Sequence, residues 1–116
     1  MGMAWKVLFH DDFADEVMEM HREVRREVLS VVALLEAFGP GLGRPRVDTL
    51  HGSDFSNMKE MRFSAADGEW RVAFDPKRRA VVLVAGDKSG VAQKRFYKSL
   101  ISTADERMKD WLKKEK

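Results

Sequence analysis

Two stretches carry the chain's most reactive combination of side chains: Asn57-Met-Lys-Glu-Met-Arg62, and Gly86-Asp-Lys-Ser-Gly90 running into Phe96-Tyr-Lys98. They put basic groups and one tyrosine at the ends of apolar runs in a chain without cysteine, a pattern that suggests chemistry on a phosphodiester. Residues 57–64 alternate as a strand does, so Glu60 and Arg62 share one face while Met61 and Phe63 share the other. Residues 69–75 alternate likewise, with Trp70, Val72 and Phe74 in one row and Glu69, Arg71, Ala73 and Asp75 in the other. Paired as a hairpin through Ala65-Ala-Asp-Gly68, the two strands set Arg62 and Arg71 on one sheet face, away from the apolar side.

The elements that must position these groups follow from periodicity. Trp5-Lys-Val-Leu-Phe9 reads as a first strand, and Asp11 or Asp12 as the N-cap of a helix behind it. Phe13, Val17, Met20, Val24, Val28, Val31 and Leu35 then recur in steps of three and four, one helical stripe that ends at Phe38-Gly-Pro-Gly41. One helix over residues 12–38 would be about 40 Å long at 1.5 Å per residue, more than a small domain needs. A break at residues 20–23 into a helical hairpin is the alternative, although no Gly or Pro marks it.

After a loop at residues 41–46, residues 47–50 read as a short edge segment, and residues 57–64, 69–75 and 79–85 as a three-stranded meander. Ala80-Val-Val-Leu-Val-Ala85 is β-branched and apolar on both faces, which suits a central strand. A last helix from about Val91 places Phe96, Leu100, Ala104, Met108 and Leu112 at helical spacing, and its lysine-rich end is expected to fray. The arrangement predicted is an open sheet with helices on one face, leaving the arginine face free.

Length and composition bound the rest. A chain of 116 residues, 44% hydrophobic and 34% charged, fits one folded domain over residues 1–116. No apolar run approaches the roughly 18 residues of a membrane span, and Met1-Gly-Met-Ala-Trp-Lys6 does not read as a secretory signal, so the cytoplasm is the expected compartment. With no cysteine and three scattered histidines, neither a metal site nor another cofactor is expected. Charge is divided along the chain: residues 1–43 hold four Lys/Arg against eight Asp/Glu, and residues 44–98 hold twelve against seven. The basic part is the expected polyanion face.

Taken jointly, Phe38-Gly-Pro-Gly-Leu-Gly-Arg-Pro-Arg-Val-Asp-Thr-Leu-His-Gly-Ser53, Asn57-Met-Lys-Glu-Met-Arg62, Trp70-Arg-Val72, Phe74-Asp-Pro76, Val84-Ala-Gly-Asp-Lys-Ser-Gly90 and Phe96-Tyr-Lys98 resemble the phage-derived, HigB-like branch of the RelE/ParE toxins. The strand at residues 70–75 is shorter than the family's pattern. The resemblance implies an α/β (α+β) RelE-like fold: a mostly antiparallel four-stranded sheet, an N-terminal helix or helical hairpin, and a C-terminal helix. It also implies a toxin of a type II toxin–antitoxin module, cleaving mRNA on the ribosome and held by a helix-turn-helix, HigA-like antitoxin.

Metal-free RNA cleavage uses the neighbouring 2′-hydroxyl as nucleophile and needs a proton acceptor, cations for the phosphorane and a donor for the leaving 5′-oxygen. Under the resemblance, Arg62 and Arg71 take the transition-state charge, where the planar guanidinium fork matches phosphate oxygens. Lys88 acts on the scissile phosphate or leaving group, Tyr97 stacks on a base or shares a proton with the 2′-oxygen, and Glu60 is the candidate base. Lys59, Arg44, Arg46, Lys94, Arg95 and Lys98 would bind RNA backbone. Against these stand plainer readings: a solvated strand face with Glu60 and Glu69 as ion-pair partners, a turn in which Asp87 or Ser89 caps the last helix, and Tyr97 packed beside Phe96. His51, His10 and His21 read as loop, cap and exposed helix face. Two other functions use the same fold, a non-enzymatic ParE-like inhibitor of DNA gyrase and an inactive protein-interaction module.

Overall fold

The computed structural model describes residues 5–43, 46–77 and 79–115. β1 (Val7–Phe9) leads into α1 (Asp11–Glu19) and α2 (Arg22–Phe38), and a 3₁₀ turn at Gly39–Gly41 precedes β2 (Val47–Thr49). β3 (Lys59–Ala65), β4 (Gly68–Asp75), β5 (Ala80–Asp87) and α3 (Gln93–Lys114) follow. The strands form one five-stranded sheet in the order β1-β5-β4-β3-β2. β1 runs parallel to β5, and the other pairs are antiparallel. The expected mixed α/β architecture is present, with one strand more than four because the edge segment at residues 47–49 pairs fully with β3.

The long amphipathic stripe does break into two helices, at Met20 and His21, and a histidine caps the second. His21 Nδ1 accepts the Glu23 amide at 3.1 Å and caps α2, so it is not on an exposed helix face as expected. His10 does the same for α1 through the Asp12 amide at 3.1 Å. Asp11 and Asp12 therefore stand inside the first turn of α1, where carboxylates complement the helix dipole, instead of capping it. Gly39, at φ +58°, closes α2 in the left-handed region, and a Cβ there would meet the Trp5 ring at 3.3 Å.

Both faces of the sheet are covered, which corrects the expectation of helices on one face only. Phe13 and Val17 of α1 and Val24, Val28, Val31 and Leu35 of α2 pack on Met61, Phe63, Val72, Phe74 and Val82. On the opposite face Phe96, Leu100, Ala104 and Met108 of α3 pack on Ala73, Val81, Leu83, Val84, Met58 and Leu50. Leu112 leaves the stripe and is exposed. A bulge in β5 adds to the apolar surface under α3: Ala73 pairs with Val84 but Phe74 with Val82, so Leu83 is the extra residue and both Leu83 and Val84 turn toward α3. The C-terminal helix does not fray at its lysines but continues to Lys114, whose ammonium pairs with Asp11 and Asp110. Among the described residues no helix is long and apolar enough to cross a membrane.

Candidate active site

The β3–β4 hairpin forms as the alternation predicts, and its register sets Arg62 directly opposite Arg71. Two like charges in that position repel, so the surroundings must compensate. Glu60, two residues before Arg62, supplies the compensation: its Oε2 lies 3.1 Å from the Arg62 guanidinium and its Oε1 lies 3.8 Å from Arg71 Nε. Asp48 of β2, paired with Glu60 in the sheet, adds a second carboxylate 3.3 Å from Arg62.

Tyr97, in the first turns of α3, completes the group. Its hydroxyl donates to Glu60 Oε1 at 2.7 Å and accepts from Arg71 Nε at 3.3 Å, while Arg71 also donates to the Trp70 carbonyl at 2.9 Å. Gly86, opposite Arg71 on β5, allows α3 this close, because a Cβ there would stand 3.1 Å from the Phe96 ring. Glu60 and Arg71 are consequently buried, at 3% and 8% exposure, whereas the Arg62 side chain keeps 39%. The arginine face is thus partly roofed by α3, and only Arg62 of the pair opens to solvent.

Electrostatics follow from this packing. Burial, and then the hydrogen bond given to Glu60, push the Tyr97 phenol above its ordinary pKa, with Arg71 pulling the other way. The hydrogen bond to Glu60 holds the Arg62 guanidinium above its ordinary value against a smaller desolvation effect. Arg62 Nε is enclosed and has no hydrogen-bond partner among the described residues.

Other predicted residues are more dispersed. Lys88 stands half-buried just beyond the end of β5, two residues after Gly86, with its amide donating to the Glu69 carbonyl at 2.7 Å. Its side chain makes no hydrogen bond or ion pair among the described residues. Asp87 and Ser89 do not cap α3. Asp87 Oδ1 accepts the Ser89 and Glu69 amides at 2.9 and 3.1 Å, and Ser89 Oγ accepts the same Glu69 amide at 2.9 Å. Desolvation pushes the Asp87 carboxyl up, but these hydrogen bonds win and hold it below its ordinary value. The N-cap of α3 is Ala92, with no side-chain cap and no acidic residue in the first turn.

Lys94, Arg95 and Lys98 are exposed on the first turns of α3, and Arg46 is exposed just before β2. Lys59 opens β3, half-buried. Arg44 lies outside the described residues. His51 is exposed in the turn after β2, and His10 is buried with Nε2 2.9 Å from Asp110, so neither joins the cluster. The readings missed Asp48, for which an acidic residue in a short edge segment was the only signal. A groove of about 700 Å³ lined by Asp15, Glu19, Met18, Met20, Trp70 and Arg107 contains none of the predicted site residues. The candidate site lies beside α3, on the sheet face opposite α1 and α2.

A model of the family described as Phage derived protein Gp49-like matches residues 15–109. The curated protein named "Putative toxin HigB3" of Mycobacterium tuberculosis is 43% identical over 96 residues, which is 83% of this chain and 83% of that one. A second, named "Putative toxin HigB2" from the same organism, is 43% identical over 90 residues, 75% of this chain but 44% of the longer relative. No solved structure gives a significant match.

Proposed function

The chain belongs to the Phage derived protein Gp49-like family, in its HigB-like branch, and from that premise we propose that it is the toxin of a type II toxin–antitoxin module and a metal-independent endoribonuclease acting on ribosome-bound mRNA. The observation that carries the reading is the joined group of Glu60, Tyr97 and Arg71 with the half-open Arg62 beside it.

In the proposed reaction the 2′-hydroxyl oxygen attacks the adjacent phosphorus and the bond from phosphorus to the 5′-oxygen breaks, leaving a 2′,3′-cyclic phosphate and a 5′-hydroxyl. Tyr97 takes the proton of the 2′-hydroxyl as its own phenolic proton passes to Glu60 Oε1, 2.7 Å away. This relay avoids a free phenolate, which the burial of Tyr97 disfavours. Arg62 meets the non-bridging phosphate oxygens, exchanging part of its bonding to Glu60 and Asp48 for the developing charge. Arg71 stays in place and steadies the phenol. Lys88 supplies a proton to the departing 5′-oxygen. Lys59, Arg46, Lys94, Arg95 and Lys98, with Arg44, hold RNA backbone, and the uncapped α3 N-terminus adds a favourable dipole for phosphate. The partner restraining this activity is a cognate HigA-like antitoxin, and the place of action is the cytoplasm.

The burial of Glu60 and Arg71 favours a second reading, in which the cluster only fastens α3 to the sheet and the protein acts by binding, as a gyrase inhibitor or an inactive interaction module. Primer extension on mRNA in a reconstituted translation reaction separates the two. Ribosome-dependent cuts that vanish in Arg71→Ala and in a folded Tyr97→Phe variant support the nuclease. A folded wild-type protein that makes no cuts leaves the binding reading.

A further inference from the structure

The loop between β2 and β3 is tied to α3 by one buried carboxylate. Asp105, 8% exposed, accepts the Ser53 hydroxyl at 2.5 Å on Oδ1 and the Asp54 amide at 2.8 Å on Oδ2. Ser53 Oγ in turn accepts the Phe55 amide at 3.0 Å, and Lys109 reaches Asp54 at 2.8 Å. The loop is closed on itself by Leu50 amide to Met58 carbonyl at 2.9 Å and Met58 amide to Phe55 carbonyl at 3.0 Å, and it then passes directly into Lys59 and Glu60.

Tyr97 lies on the same helix, eight residues before Asp105 and so about 12 Å away along the axis. We infer that Asp105 is a positioning residue for the candidate site: by pinning residues 53–54 to α3 it fixes the helix relative to the start of β3 and holds the Tyr97 hydroxyl on Glu60. The apolar stripe of Phe96, Leu100, Ala104 and Met108 drives α3 onto the sheet, but apolar burial is non-directional and tolerates small sliding. Two hydrogen bonds to a buried carboxylate are directional and do not. The consequence for catalysis rests on the nuclease reading, while the geometric coupling does not.

The chain contains a single tyrosine, so ¹³Cζ-tyrosine labelling gives one resonance whose pH titration reports Tyr97 alone. In Asp105→Ala the phenol is expected to gain water and lose its bond to Glu60, moving its titration midpoint downward from the wild-type value. Asp105→Asn is expected to keep the wild-type midpoint, since its amide oxygen can accept the Asp54 amide while its NH₂ donates to Ser53 Oγ. A purely stabilising Asp105 would lower the melting temperature of Asp105→Ala and leave the midpoint in place. A folded Asp105→Ala protein with an unchanged midpoint overturns the inference. If Asp105→Ala does not fold, Ser53→Ala decides: a downward shift supports the coupling and an unchanged midpoint overturns it. A wild-type protein that cuts no RNA but shows the Asp105→Ala shift refutes the nuclease and leaves the coupling standing.

Discussion

Glu60 balances two guanidiniums and a phenol with one carboxylate, and the energetics of the cluster follow from how unevenly those partners are buried. Removing it leaves Arg71 as an enclosed cation bonded, among the described residues, to the Trp70 carbonyl and Tyr97. Breaking a buried pair in this way costs about 3 kcal/mol, so Glu60→Ala is expected to lower the urea unfolding free energy by about that much. Tyr97→Phe removes one donor and one acceptor from the same group and should cost only about 1 kcal/mol, yet reduce cleavage by about 100-fold or more if the phenol carries the proton. Stability and cleavage measured on both variants therefore separate support from chemistry. A pH series adds a sign. A phenol pKa raised in the folded protein favours the protonated form, so its contribution is complete below the unfolded value of about 10 and is lost as pH rises through the folded one. Wild-type protein should show a larger alkaline loss of stability than Tyr97→Phe, which keeps only the loss from other raised groups such as Lys109 and Lys114.

Among the elements, the bulge in β5 and the short β1 leave the Leu83 carbonyl beyond the end of the β1–β5 pairing, which stops at Val82 among the described residues. Arg107 of α3 fills that place, donating to the Leu83 carbonyl at 2.9 Å and forking onto Glu16 of α1 at 2.7 Å. Arg107→Ala should lower the unfolding free energy by about 2 kcal/mol, more than Glu16→Gln, because it also orphans a carbonyl. The β3–β4 turn points the other way. Ala66 and Asp67 both have positive φ, 49° and 62°, where glycine is normally required. Ala66→Gly is therefore expected to raise stability by about 0.5 kcal/mol, read in the same denaturation assay. These elements also show what a sequence can disclose. Alternation revealed the hairpin and the face that Arg62 and Arg71 share, and the apolar stripe revealed α1 and α2, because both signals are local; that the two arginines stand directly opposite each other came only with the register. The side of the sheet that α3 covers was hidden, since an amphipathic helix shows that it packs and not on what. The bulge was hidden inside a continuous apolar run, and Asp48 and Asp105 find their partners 14 and 52 residues away.

At the scale of the whole molecule, the charge division of the sequence becomes a division between sheet faces. The acidic segment, in α1 and α2, covers one face; Arg62, Lys94, Arg95 and Lys98 lie on or beside the other, with α3. A small net charge of +2 thus conceals a bipolar surface, attractive to a polyanion on one side and repulsive on the other. Under the proposed nuclease function such a surface would orient RNA toward the candidate site before any specific contact forms, and the proposal predicts a salt dependence with a definite slope. For single-stranded RNA the logarithm of the binding constant falls against the logarithm of salt by about 0.7 for each phosphate neutralised. Replacing Lys94, Arg95 and Lys98 together by alanine should then reduce that slope by about 2, with the fold intact because all three side chains are exposed. Fluorescence anisotropy of a labelled oligoribonucleotide at a series of KCl concentrations measures it. A slope that does not change would mean that these cations touch no phosphate and serve solubility alone, and the work of holding RNA would pass to Arg62, Lys59 and Arg46 on the sheet side of the site.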